Sequence, residues 1–128
     1  MIKQVLSDDI IKQYLPILTA CPLFNTLGIP ELTSYLHNAK VIIKNYKKND
    51  FIAISGDPME GIGVILEGSA LLTRENVLGQ RVIMANLEAS SIFGEALLFS
   101  KHPLWPATIK ALKPTKIMFI PLETFIKT

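Results

Sequence analysis

The sequence predicts a mainly β domain of the α+β class, with a sandwich, a barrel or a roll as its architecture. Short runs of apolar and β-branched residues, separated by turn residues, occur from Val41 onward, a pattern typical of strands. Apolar residues at helical spacing occur in the chain before residue 39. A further helix start follows Pro121. Helices first, then strands, then a helix start indicate this layout.

The N-terminal part, about residues 7–38, predicts two helices. Ser7 is a good N-cap, and the carboxylates of Asp8 and Asp9 suit the positive end of a helix. Pro16 is expected to kink or divide the first helix. Pro30 is a good first-turn residue for a second, short helix. The apolar face of the first helix consists of Ile10, Ile11, Tyr14, Leu15 and Leu18.

The remaining segment, about residues 39–120, predicts seven strands. Glycine, asparagine, aspartate and proline punctuate it and supply the turns. Between the fifth and sixth strands, Gly94 to Ser100 predicts one or two helical turns, and Leu122 to Lys127 predicts the start of a last helix. The expected strands are Val41–Ile43, Phe51–Ile54, Val64–Leu66, Ala70–Thr73, Val82–Met84, Ala107–Leu112 and Lys116–Ile120.

Length and composition restrict the class of protein. A chain of 128 residues fits one compact domain, and its net charge of +2 does not by itself indicate a nucleic-acid partner. We find no signal peptide and no apolar run long enough to span a bilayer, so we expect a cytoplasmic protein without a membrane partner. Cys21 is the only cysteine, which argues against an internal disulfide or a cysteine-ligated metal cluster.

Several short motifs occur in order along the chain. They are Pro22-Leu23-Phe24, the turn glycines Gly56 and Gly68 with Asp57, Phe93-Gly94-Glu95, and Ile120-Pro121 with Phe125. Together they resemble the cyclic-nucleotide-binding domain of the Crp/Fnr transcription regulators, over almost the whole chain. The resemblance implies a double-stranded β-helix, also called a jelly roll or β-roll, with N-terminal helices and the start of a C-terminal helix.

The resemblance fails at one important point. In the members that bind cyclic AMP, a phosphate-binding cassette begins with a glycine and a glutamate, which Gly94 and Glu95 match. An arginine and a serine or threonine then hold the cyclic phosphate, and these positions fall on Trp105 and Pro106. Tryptophan cannot replace a charged, fork-shaped guanidinium. We therefore expect a ligand other than cyclic AMP.

The chain's two arginines, Arg74 and Arg81, are distant in sequence from these positions, so no arginine is expected there. Trp105 would offer an aromatic face and one N–H, and Thr108 a hydroxyl. An aromatic or otherwise apolar effector, an anion held by backbone N–H groups, and an empty vestigial pocket all remain open. The resemblance implies a pocket formed by Leu72, Met84, Ala85, Leu87, Gly94, Glu95, Ala96, Trp105, Pro106, Ala107 and Thr108.

Simpler structural roles are open for the same residues. Gly94 would then serve only its turn, and Trp105 would fill the core. His37 and His102 fit capping or solvated positions better than haem ligation, and Cys21 fits a small buried apolar residue. We therefore expect no metal and no cofactor, and the effector remains unidentified.

The function implied by the resemblance is effector sensing for transcription regulation, without catalysis. The partners would be a small molecule and, through a C-terminal domain not in this chain, DNA. The full-length protein is expected to be a homodimer, and this chain a fragment that lacks the dimerisation helix. One alternative is a stand-alone cyclic-nucleotide-type module that regulates an enzyme or channel. Another is a cupin-like enzyme, which the lack of clustered histidines disfavours.

Overall fold

The computed structural model describes residues 8–20, 28, 30–31, 34, 36, 41–59, 61–94, 101 and 103–121. Helix α1 (Asp8–Ala20) is followed by eight strands. All seven predicted strands are present, and the two-residue β6 is an addition to them. The strands are β1 (Ile42–Tyr46), β2 (Phe51–Ala53), β3 (Gly61–Glu67), β4 (Ser69–Glu75), β5 (Arg81–Glu88), β6 (Ile92–Phe93), β7 (Thr108–Ala111) and β8 (Thr115–Pro121).

The strands form two four-stranded antiparallel sheets. Their orders are β1-β8-β3-β6 and β2-β7-β4-β5, so most neighbours in a sheet are far apart in the sequence. Most consecutive strands of the chain alternate between the two sheets, which is the arrangement of a jelly roll. The mainly β fold predicted from the sequence is therefore confirmed.

Strands β3 and β8 are buried on both faces. Val64 and Leu66 of β3 pack against α1, whereas Ile65 between them points into the space between the sheets. In β8, Met118 packs in the core beside α1, and Ile117 packs in the core between the sheets. Successive residues of a strand face opposite sides, so a strand covered on both sides needs apolar residues at every position. This explains the unbroken apolar runs in these two strands.

Helix α1 continues through Pro16 and is not divided there. Tyr14 and Leu18, on either side of the proline, are both buried in the core between α1 and the first sheet. Proline removes one helical hydrogen bond, but the packing of this face stabilises the helix as a whole. Pro16 itself is exposed, so water can hydrate the carbonyl of Lys12, which loses its donor.

The described residues of the expected second helix, Pro30, Glu31, Ser34 and Leu36, are helical. Leu36 is completely buried in the same core as α1. The N-cap Ser7, the Pro22-Leu23-Phe24 motif, the helical turns after Gly94 and the C-terminal helix fall outside the described residues, as does Cys21. Within the described part of the chain, no helix is long and apolar enough to cross a membrane.

Candidate ligand site

The backbone of Trp105 is fixed to the turn that follows β2. Its N–H donates to the carbonyl of Asp57, and its carbonyl accepts from the N–H of Gly56, both at 2.8 Å. Gly56 has a φ of +93°, which lets the turn close through a hydrogen bond from Asp57 to Ile54. A third bond, from Met59 to Pro103, extends the pairing. The loop that carries Trp105 is therefore held in one place.

The indole of Trp105 lies over Gly94, the residue that matches the start of the phosphate cassette. The side chain is only 8% exposed and packs on Phe93, with 5.8 Å between ring centroids. A Cβ placed on Gly94 would lie 3.2 Å from Cζ3 of the indole and 2.9 Å from Cε of Met59. The indole thus fills the space from which a ligand would approach this side of Gly94.

Three of the expected pocket residues line the interior of the second sheet. Leu72 and Ala85 lie directly opposite each other on β4 and β5 and pack against the core between the sheets. Leu87 belongs to that core. Met84 does not join them, since 52% of its surface is exposed. The pairing passes from Ala85 to Ile83 there, so Met84 is the extra residue of a β-bulge.

The other expected residues are divided between core and surface. Ala107 is buried, whereas Pro106 is exposed. Thr108 is half-buried, and its Oγ1 accepts a hydrogen bond from the N–H of Ser55 at 3.1 Å. Glu95 and Ala96 lie outside the described residues, so the role expected of them stays a prediction.

A cleft of about 320 Å³, here called the tryptophan cleft, opens between the edge strands β1 and β2. Aromatic rings form part of its wall, and Nζ of Lys44 lies 5.3 Å from the ring centroid of Phe119. The cleft combines apolar surface with one cation and one carboxylate. Its lining is Ile42, Lys44, Phe51, Ile52, Ala53, Ile54, Asp57, Pro58, Gly61, Trp105, Phe119 and Pro121.

A second cleft, of about 430 Å³, contains both arginines of the chain and is called the arginine cleft. Pro106 also lines it, so the expectation that no arginine lies near the cassette positions is wrong. The pairing of β4 with both β5 and β7 creates this proximity. The sequence feature that could have indicated this proximity is the short turn that joins β4 to β5. The lining is Ile54, Ser55, Thr73, Arg74, Glu75, Arg81, Pro106 and Thr108.

Metal ligands do not cluster in the described part of the chain: no three His, Cys, Asp or Glu side chains there could hold an ion. His37 and His102 are outside the described residues. What the geometry offers is therefore an apolar interior beside Trp105 and a basic cleft next to it.

Comparison with known proteins identifies the family. The cyclic nucleotide-binding domain family model matches residues 43–128, which is more than half of the chain. The chain belongs to this family. Its resemblance to cyclic-nucleotide-binding domains is thus confirmed, while no curated protein matches the sequence.

Several solved structures of regulatory proteins share the fold. The sensor domain of the transcriptional regulator DNR from Pseudomonas aeruginosa has a TM-score of 0.76 and 19% identity, covering 91% of this chain and 76% of that one. The regulatory domain of Toxoplasma gondii PKA, crystallised with cAMP, has a TM-score of 0.81 and 18% identity, covering 98% and 46%. The regulatory subunit of a cAMP-independent protein kinase A from Trypanosoma brucei has a TM-score of 0.78 and 19% identity, covering 91% and 42%. This chain spans 50% and 52% of two further matched structures, about half of their length.

Proposed function

We propose that this domain senses a small effector for a Crp/Fnr-type transcription regulator, and that the effector is not cyclic AMP. The observation that carries the proposal is the indole of Trp105, which packs over Gly94 where the family would hold a phosphate. An arginine at this position would neutralise the phosphate, whereas an indole offers only an apolar face and one N–H donor.

The surroundings of Trp105 favour an aromatic or otherwise apolar effector. Leu72, Ala85 and Leu87 present apolar surface toward the interior, and Phe119 lines the tryptophan cleft beside the indole. Clefts of this size are common for small-molecule ligands. Lys44, at the same cleft, could pair with a carboxylate on the effector.

The proposal extends to partners outside this chain. We place the full-length protein in the cytoplasm as a homodimer that reaches DNA through a separate domain. The likeness to the sensor domain of a transcriptional regulator supports the DNA-binding part of this proposal. Effector binding would then shift the DNA-binding domains between two states, as linkage requires of any ligand that binds one state more tightly. No catalytic step belongs to the proposed function.

Intrinsic fluorescence tests the proposal directly, because Trp105 is the only tryptophan of the chain. We expect a panel of small aromatic acids to contain compounds that shift the Trp105 emission and raise the melting temperature. Cyclic AMP and cyclic GMP should change neither. If no aromatic or apolar compound changes the emission, or if cyclic AMP shifts it, the proposal is wrong.

A second candidate function is regulation of a partner enzyme, since two of the matched structures are kinase regulatory proteins. The gene sequence beyond Thr128 separates the two candidates. A helix-turn-helix segment there favours the transcription regulator. An enzyme or membrane segment favours the partner module, and a stop codon directly after Thr128 rules out the DNA-binding extension.

A further inference from the structure

We propose that the arginine cleft binds a phosphoryl group, presented by a small phosphorylated molecule or by free phosphate. Arg74 and Arg81 both line the cleft. In the β4–β5 hairpin, Arg81 lies opposite Glu75 and therefore shares a face with Thr73, whereas Arg74 lies opposite Val82 at the alternate position. Guanidinium groups are well suited to phosphoryl oxygens because they donate two parallel hydrogen bonds.

A buried hydroxyl in the same cleft supplies an independent observation. Thr73 is only 7% exposed and lines the cleft, and its side-chain hydroxyl has no hydrogen-bond partner among the described residues. A buried polar group without a partner is costly, and native proteins rarely leave one. A bound phosphoryl oxygen would accept the hydrogen bond that the hydroxyl of Thr73 can donate.

A second hydroxyl completes the donor set. Thr108 lies opposite Thr73 on the paired strands β7 and β4, so the two side chains share one face. Its Oγ1 already accepts from the N–H of Ser55, and its own O–H has no acceptor among the described residues, so it can donate to a ligand. Two arginines and two threonines therefore line one cleft, and their donors match a phosphoryl group with several acceptor oxygens.

Glu75 is the opposing charge in this cleft. It lies opposite Arg81 on the neighbouring strand and lowers the positive potential that an anion meets. The cleft volume of about 430 Å³ exceeds what a phosphate ion alone needs, so the rest of a small molecule fits as well. This site is separate from the interior beside Trp105 and does not depend on which effector binds there.

Calorimetric titration with ribose 5-phosphate, inorganic phosphate and ribose tests the site. We expect both phosphates to bind and ribose not to bind; their relative affinity shows whether the ligand is a phosphorylated molecule or the free ion. Arg74→Gln and Arg81→Gln should each weaken binding about tenfold or more. The matched control Lys113→Gln removes the same charge from an exposed turn outside the cleft and should leave the affinity unchanged. Equal affinities in all three variants, or no phosphate binding, overturn the proposal.

Thr73→Val distinguishes a ligand-binding hydroxyl from a structural one. Valine has nearly the same shape, so the variant should keep or raise the melting temperature while phosphate affinity falls several-fold. Glu75→Gln should increase the affinity. A lowered melting temperature with unchanged affinity in Thr73→Val would mean that the hydroxyl serves the fold. Cyclic AMP binding that persists in Arg74→Gln would contradict the proposed function and leave the phosphoryl site standing.

Discussion

Gly68 joins β3 to β4 in a backbone conformation that favours glycine, with a φ of +98°. A Cβ at this position would lie 2.6 Å from the carbonyl oxygen of Pro114 and 2.7 Å from Cα of Thr115. Gly79, in the β4–β5 turn, has a φ of +78° but no atom within 4 Å of such a Cβ. An alanine at either position would meet backbone strain, but only an alanine at Gly68 would also overlap neighbouring atoms.

We expect Gly68→Ala to destabilise the domain more than Gly79→Ala. The left-handed conformation costs an alanine about 1–2 kcal/mol at either position. At Gly68 the backbone must also move, which adds a loss of about 1–3 kcal/mol. Urea unfolding of both variants measures the difference. Equal losses of unfolding free energy would show that the β3–β4 turn can move to accommodate the methyl group without further destabilisation.

Individual site residues could be located from the sequence only in part. The alignment placed Trp105 and Gly94 near each other, and the structure brings them into contact. It could not place Thr73 and Arg74 beside Pro106, because this proximity depends on pairing between strands more than 30 residues apart. Met84 was also misplaced in the interior: it is adjacent to the inward-facing Ala85, and successive residues of a strand face opposite sides.

Helix α1 is linked to β8 by a polar contact at the edge of its apolar face. Nζ of Lys116 donates to the hydroxyl of Tyr14 at 2.9 Å, while the Tyr14 ring is buried in the core. This hydrogen bond raises the pKa of Lys116 above its usual value, and nearby Glu67 acts in the same direction. Burial lowers the pKa of Lys116, but the hydrogen bond and the nearby charges outweigh it.

Tyr14→Phe tests this contact between helix and sheet. The variant keeps the packed ring but removes the acceptor, so we expect the pKa of Lys116 to fall and stability to drop by about 1 kcal/mol. An NMR titration of the lysine side chain measures the pKa, and urea unfolding measures stability. Lys12→Ala, at an exposed position of the same helix, is the control and should change neither. An unchanged Lys116 pKa in Tyr14→Phe would exclude the contact in solution.

Among the elements, the presence of each strand was easier to predict than its first and last residues. Runs of β-branched residues located seven strands, because such side chains suit a pleated, half-buried surface. The extension of β3 back to Gly61 and Gly63 could not be foreseen from propensity. These glycines are needed because the carbonyl of Ile120 and the ring of Phe93 occupy the space that a side chain would fill. The two-residue β6 is defined by its pairing with β3 and carries too short a pattern of its own.

At the scale of the whole molecule, the fold followed from the order of motifs, whereas the chemistry of the clefts required the pairing of strands. The resemblance supplied the jelly roll as one unit, including its non-local strand orders. It could not supply the tryptophan cleft, whose walls come from β1, β2 and β8 together with the Trp105 loop. Distant segments meet there only after both sheets have formed, so local sequence carries little information about it.

Alkaline pH offers a test of how the two sheets hold together. Tyr46, at the end of β1, packs against the core between the sheets. Burial, and to a lesser extent the charge of Asp50, raise its pKa from 10.0 to about 12. In the unfolded chain the phenol ionises near its ordinary pKa, so between these two values the folded state holds more protons than the unfolded state. The contribution of Tyr46 is thus complete below pH 10 and is lost as the pH rises toward about 12.

Tyr46→Phe isolates this contribution because phenylalanine keeps the ring and cannot ionise. All other ionisable groups are common to the two proteins, so their effects cancel in the difference between the two melting temperatures. We expect the melting temperature of the wild type to fall more steeply than that of the variant above pH 10, and the two curves to run parallel below it. Parallel curves throughout would mean that Tyr46 meets water in the folded protein. The junction of β1 with the second sheet would then be open to solvent, because burial is the main cause of the raised pKa.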